Sequence, residues 1–502
     1  MTAVRRIVTP VLLLAVALAS LFGANHLNGE LQGNLGEVAD DDRVPSGLGT
    51  PLVSTRRLTA MLAPPLTEPG FFDALDEMMA SAPPSACLSV TQSAYYESNA
   101  NIAVMPSEAS LLLTLAAAHK ELGPDHTFLT SVRSTVPMEN GVVNGDIYLL
   151  GGGDPLLLTR EFAARLGEAE NRLHTPIEDL AQSLVDAGLV LVTGAVVGDA
   201  TRYDDLLYAG SWPKTLVESE NIGTLQALQF DDGWVQFPPS AAASASGEAG
   251  GNAPEEIPED GAGYLAAEDP PFYAAALFDD MLEARNVVIR RSPRSEAVPA
   301  DEETFVLGAI ESAPLSSYYR QILDNRDVET AELLLKEIGL ATSGTGSTQA
   351  GARAVETMLA GIGVNSRESQ LFQLDGSGHD PANSATCPVF TALLDSAEFS
   401  PFFHELLPTA AEPGPLPGRF ARVDDPGRLR VLSGGASNTT VMAGYIDIGR
   451  GQELVFAFIA NQPDAADNQA VRELEGRIVS HLATLEAQPS LDDIQLEEIR
   501  VG

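Results

Sequence analysis

Apolar residues recur at helical spacing from Leu111 and Leu112 through Leu115 to Leu122, a pattern that predicts a buried helix. Pro106 stiffens its entry, Ser107 is placed to cap it, and Gly123 followed by Pro124 closes it. Helical spacing also marks Phe71–Met79, Leu180–Gly188 and Phe272–Ala284, the last with Phe272, Ala276 and Leu277 as one face. A further helix starts at Ser312 and a final one covers Asn468–Leu485. Short apolar runs predict strands at Cys87–Thr91, Phe128–Val132, Gly145–Leu150, Val287–Ile289 and Thr304–Ile310. Tyr95-Tyr96 with Asn99-Ala-Asn101 reads as a hairpin, and Leu189–Asp199 as a strand pair around a tight turn. Leu429–Ser433, Val441–Asp447 and Leu454–Asn461 form the late strands. Trp212 and Trp234 read as core anchors, Trp234 with the alternative of an exposed hairpin. His119 and Lys120 are expected to face solvent. No internal repeat is present.

Two stretches lack this order. Residues 27 to 70 are expected to be an extracytoplasmic linker, rich in Gly, Asn and Asp at their start, and 238–263 is a disordered, low-complexity loop of Ala, Ser, Gly, Pro and Glu. Residues 486–502 form an acidic tail. Ahead of the spacer, Arg5 and Arg6 precede the apolar run Ile7–Phe22. This segment, 1–26, reads as a signal anchor with the arginines inside, or as a signal peptide cut near Ala17-Leu-Ala19. Either way the bulk of the chain lies outside the cytoplasm, in the cell envelope, and its membrane contact runs through that N-terminal segment.

Composition narrows the partners. The chain has 502 residues, more than one ordinary domain, and a net charge of −41 from 29 basic and 70 acidic residues. Such a surface excludes nucleic acid and repels anionic membrane faces. An oxidising compartment would permit a bridge between Cys87 and Cys387, but residues so far apart in sequence do not demonstrate one, and they read as two buried free thiols. Neither stands near histidines at metal spacing. No metal or cofactor signature is present. Gly151-Gly-Gly-Asp154-Pro155 lacks the Lys-Ser/Thr of a phosphate loop, and Pro155 removes an amide donor, so it reads as a turn.

The stretch Met105–Gly123 resembles the nucleophile helix of class C penicillin-binding proteins, the D-alanyl-D-alanine carboxypeptidase/endopeptidase family. In that family it reads Pro-Ala-Ser-x-x-Lys-Leu-x-Thr before an alanine-rich turn. Pro106, Leu112, Thr114, Ala116 to Ala118, Leu122 and Gly123 fall on the pattern, while Glu108 takes the nucleophile position and Leu111 that of its lysine. Ala331-Glu-Leu-Leu-Leu335 anchors the second motif and places Arg326, Asp327 and Val328 where Ser-x-Asn is expected. Met442-Ala-Gly-Tyr445 anchors the third, so that Leu432, Ser433 and Gly434 stand for Lys-Thr-Gly. Asp375-Gly376-Ser377-Gly378 follows a family loop and supplies candidate cleft residues.

The resemblance implies an α/β (α+β) fold of the serine β-lactamase/transpeptidase type, an antiparallel sheet flanked by helices. The transpeptidase-like part is 71–141 plus 304–485, interrupted by an inserted, mostly β region at 142–303. It implies an ancestral serine-type peptidase of peptidoglycan metabolism, with stem peptides as ligands. Nucleophile, base, amide and lysine are missing together, so the chain reads as an inactive homologue that binds or assembles in the envelope. A glutamate forms no comparable acyl ester and sets negative charge where an oxyanion must develop. One alternative is a weak or re-tooled hydrolase using Glu108, Asp327 or an off-register serine (Ser107, Ser110, Ser377 or Ser433). Another is a structural protein that binds envelope partners.

Overall fold

The computed structural model describes residues 64–170, 172–219, 222–236, 265–413, 416–420, 423–435, 438–462 and 468–485. The export segment, most of the expected linker, loop 238–263 and the acidic tail lie outside the described residues. Among the described residues, no helix is long and apolar enough to cross a membrane.

In chain order, helix α1 (Pro64–Ala80) leads into strands β1 (Ser85–Gln92) and β2 (Tyr96–Ser98), then α2 (Ser110–Glu121) and β3 (Leu129–Ser134). Next come β4 (Ile147–Leu150), α3 (Ile177–Asp186), β5 (Val196–Asp199), α4 (Pro270–Glu283), β6 (Arg294–Ser295) and β7 (Phe305–Glu311). Helices α5 (Tyr319–Asn325), α6 (Val328–Ser343), α7 (Thr348–Gly361) and α8 (Cys387–Asp395) follow. The last elements are β8 (Leu429–Gly434), β9 (Thr439–Gly449), β10 (Gln452–Asn461) and α9 (Asn468–Leu482). Shorter elements are named below by their residues. Helix α1 begins at Pro64, so the ordered part starts inside the expected linker.

Leu454-Val-Phe-Ala-Phe-Ile-Ala460 is apolar at every position because β10 is buried on both faces. Val455, Ala457 and Ile459 pack with α2, α6 and α8, while Leu454, Phe456 and Phe458 pack with α1 and α9. The sheet runs β8-β9-β10-β1-β2 and is antiparallel throughout, as the sequence predicts. Strands β8 and β2 are its edges. The same two-sided burial explains Cys87. It points from β1 towards the start of α8 and forms a disulfide with Cys387, with Cα atoms 5.8 Å apart. The expected free thiols are therefore corrected; 300 residues of intervening chain hid a pairing that only sheet-on-helix packing creates.

The second sheet has the order β6-β5-β4-β3-β7. Strands β3 and β7, expected in the transpeptidase-like part, hydrogen-bond here as an antiparallel pair and flank the inserted region. Helices α3 and α4 cover the sheet through Leu180, Leu184, Ala274 and Phe278. The inserted region is thus mixed α and β, not mostly β. Leu189–Asp199 is not a paired hairpin either. Leu191–Val192 pairs in parallel with Val142–Val143 and Val288–Ile289, whereas β5 joins the second sheet. On α4 the buried face is Ala274, Ala275, Phe278 and Leu282, and Phe272 is exposed. The side chain of Asp269 caps the helix at the Phe272 amide, and packing on the second sheet buries Ala274, Ala275, Phe278 and Leu282. Trp212 and Trp234 are both buried. Lys120 is exposed as expected, whereas His119 is half-buried and stacks on Phe402; burial lowers its pKa.

Candidate functional site

The entry to α2 is held from three sides. Val104 bridges to Ala385, and the Asn461 side chain accepts from the Met105 amide at 2.7 Å and donates to its carbonyl at 3.0 Å. Ser107 then adopts φ 47°, an uncommon left-handed backbone for a serine, and opens a single 3-10 turn, Ser107–Ala109. No side chain caps either helix start, so the expected Ser107 cap does not form. The turn instead aims residue 108 across the sheet edge. Gly378, at φ 85°, packs so closely on the Ser107 carbonyl that a Cβ there would collide with it. At the far end Gly123 closes α2 with φ 88° and an amide bonded to Ala118, as its sequence predicts.

Glu108 leans onto the end of β8. Its Oε2 accepts the Gly435 amide at 2.7 Å, and its Oε1 meets Arg326 Nε at 3.1 Å. Arg326 sits at φ 52° where α5 ends, and its Nη2 also donates to the Ser433 carbonyl at 3.4 Å. The close approach requires Gly434, since a Cβ there would run into Glu108 Oε2. Glu108, Arg326 and Gly434 therefore converge.

The other expected residues do not. Leu111 and Leu432 are buried in the apolar core between sheet and helices. Ser433 points the other way, donating to Glu475 Oε1 at 2.9 Å, where Arg419 Nε also bonds Oε2 at 2.8 Å. Burial raises the Glu475 pKa against the pull of Arg419. Asp327 caps α6 through the Thr330 amide at 3.0 Å and meets Arg172 from the inserted region at 2.8 Å. Arg172 also holds Asp232 at 2.8 Å. Val328 packs beside the Trp212 cluster. Asp327 and Glu108 are thus each spent on a different arginine and form no acid–base pair.

Behind this strip lies the loop Asp375–Gly378. Asp375 accepts from Trp212 Nε1 (2.7 Å), Asn383 Nδ2 (2.7 Å) and the amides of Gly378 (2.8 Å) and Asp380 (2.5 Å). Glu332 Oε1 takes the Gly376 and Ser377 amides and the Ser377 hydroxyl at 2.8, 2.8 and 2.7 Å. Thr114 on α2 donates to the Gly376 carbonyl at 2.7 Å. Burial raises the pKa of both Glu332 and Asp375. Ser377 is consumed by this support. Ser110 Oγ is buried without a hydrogen-bond partner.

The sequence holds three lysines. Lys120 pairs with Glu398 at the far end of α2 at 2.9 Å, and Lys214 is exposed. Lys336 is fully buried, donating to Asp204, Leu206 and Leu225 of the inserted region at 2.8–2.9 Å. Its pKa is lowered by burial. Sequence reasoning missed Gly435, Glu475, Arg419 and Arg172. The Gly434-Gly435 pair was a readable signal of close backbone approach; the rest carried none.

Residues 87–252 and 248–485 match the model of the D-Ala-D-Ala carboxypeptidase 3 (S13) family. The chain is 28% identical over 402 residues to a D-alanyl-D-alanine carboxypeptidase of Actinomadura sp., covering 71% of this chain and 73% of that protein. It is 25% identical over 445 residues to carboxypeptidase DacB of Mycolicibacterium smegmatis, covering 87% and 86%. The crystal structure of penicillin binding protein 4 from Haemophilus influenzae superposes with a TM-score of 0.65 at 17% identity, covering 82% of this chain and 99% of that one, and shares its fold.

Proposed function

Given that the chain belongs to the D-Ala-D-Ala carboxypeptidase 3 (S13) family, we propose that it is a catalytically silent member, kept in the cell envelope for binding or assembly. One observation carries this reading. The residue at the nucleophile position is a glutamate whose carboxylate is already bonded to Gly435 and Arg326. One turn on, where a base belongs, Leu111 is buried among apolar side chains. A carboxylate in that place cannot leave a stable acyl ester, and the loss of nucleophile and base typically costs several orders of magnitude in rate. With Leu432 apolar, the cation that the third motif would supply at that position is missing, which favours a protein partner over a muropeptide. Ser377 and Ser433 donate to carboxylates, and Lys120 and Lys336 are held by Glu398 and Asp204 and so are not placed to activate Ser107 or Ser110, which weighs against a re-tooled hydrolase.

The test is incubation of the full chain with a fluorescent penicillin, alongside D-alanine release from an acyl-D-Ala-D-Ala peptide. No covalent adduct and no release above background are expected. A stoichiometric adduct would falsify the reading.

A further inference from the structure

We infer that Glu108 is a permanent imitation of an acylated serine, seated in a carboxylate-binding site made by the Gly435 amide and the Arg326 guanidinium. The inference rests on the reading above, because it takes Glu108 to stand where a nucleophile would.

Bond counting gives the first argument. An acyl-serine reaches its carbonyl oxygen from Cα through Cβ, Oγ and a planar carbon. A glutamate reaches a carboxylate oxygen through Cβ, Cγ and a planar carbon, the same number of bonds. The methylene that replaces the ester oxygen leaves no bond for water to hydrolyse. Geometry gives the second. Glu108 Oε2 lies 2.7 Å from a backbone amide at the end of an edge strand. That distance lies within the range at which a backbone amide stabilises a developing negative oxygen. The other oxygen, Oε1, meets Arg326 Nε at 3.1 Å, so both oxygens of the carboxylate are engaged.

The surroundings are shaped for this contact. Gly434 leaves the space that Oε2 occupies, Ser107 is held in a strained backbone one residue earlier, and Gly378 locks that strain from behind. The Glu108 side chain is only 10% exposed although it is charged at one end of a helix. Being in the same chain, the carboxylate competes with any free ligand at a high effective concentration. The site is thus closed to free carboxylates and acylating agents alike, and it opens only when the side chain is shortened.

The experiment uses the full chain with Glu108→Ala and sodium acetate as probe, read by thermal unfolding. The variant is expected to unfold a few degrees below the wild type. Acetate, but not chloride at equal ionic strength, should restore at least half of that loss, and Arg326→Gln added to the variant should remove the response. Wild type should not respond. Acetate acting no better than chloride overturns the inference. Should Glu108→Ala not fold, hydrogen exchange on the wild type decides: the Gly435 amide is expected to be protected, and exchange at the rate of a free amide overturns the proposal. The two readings fail separately. A penicillin adduct on the wild type removes the silent-enzyme reading, whereas missing acetate rescue without an adduct removes only the acyl imitation.

Discussion

Two regions, one on α2 and one in the turn that leads into it, are built on different terms. At Thr114 the helix meets the loop Asp375–Gly378, where Asp375 gathers four donors and Glu332 three, all buried. At Glu108 the contacts are few: one amide, and one arginine whose side chain is 44% exposed. Removing a side chain from the first region strands several buried donors that water cannot reach, and each stranded group costs about 1–3 kcal/mol. A change in the second strands little. The loop is therefore held in place by folding itself, while the residue at position 108 is free to differ without unfolding the scaffold.

The sharpest way to break the comparison is Asp375→Ala. Leaving Trp212, Asn383 and two amides without an acceptor is expected to cost about 5 kcal/mol. Urea denaturation measures it, and a loss below about 1 kcal/mol would erase the distinction between the regions. Next comes the Cys87→Ser, Cys387→Ser pair, which unties β1 from the helix that follows the loop. Because the bridge closes a very long chain segment, a loss of about 4 kcal/mol is expected. Reducing agent should lower the wild-type melting temperature in the same way and leave the double variant unchanged.

Asp154 provides a pH test from a third place, the turn of the inserted region. It is fully buried, its Oδ1 accepting from Leu156, and burial pushes its pKa up to about 7; Asp231 is pushed to about 7 as well. A carboxyl whose pKa is higher folded than unfolded binds more protons in the folded state. Its stabilisation is therefore full below about pH 4 and lost as pH rises through about 7. Melting temperature should fall across that window, and Asp154→Asn should make the fall shallower. An unchanged slope in the variant would show that Asp154 does not retain its proton on folding.

The smallest effect is expected from Glu108→Gln. The amide oxygen still accepts from Gly435, and only a half-exposed ion pair with Arg326 is lost, so the cost should stay within about 1 kcal/mol. A loss of several kcal/mol in calorimetry would mean that the strip is as tightly bound into folding as the loop.

Much of this was readable in the sequence because it is local. The helical spacing of Leu111 to Leu122, the Gly123 stop, the double-sided apolar run at Leu454–Ala460 and the turn at Asp375–Gly378 each depend on a few neighbouring residues. The register that sets Glu108, Arg326 and Leu432 at motif positions was a reading by spacing to those same landmarks; the structure adds that Glu108 and Arg326 meet. Where local reading failed, a distant element decided. The face of α4 is set by the second sheet, and β3 and β7 join that sheet from either side of the inserted region.

The sequence by itself determined the elements and which side chains were present to react. The partner of each was decided by tertiary structure alone. Glu108 and Gly435 lie 327 residues apart, Cys87 and Cys387 lie 300 apart, and Ser433 turned to Glu475 rather than to Glu108. The period of a helix or strand is written in bond geometry a few residues long. Contacts across hundreds of residues exist only once layers have packed and shared the cost of closing the chain.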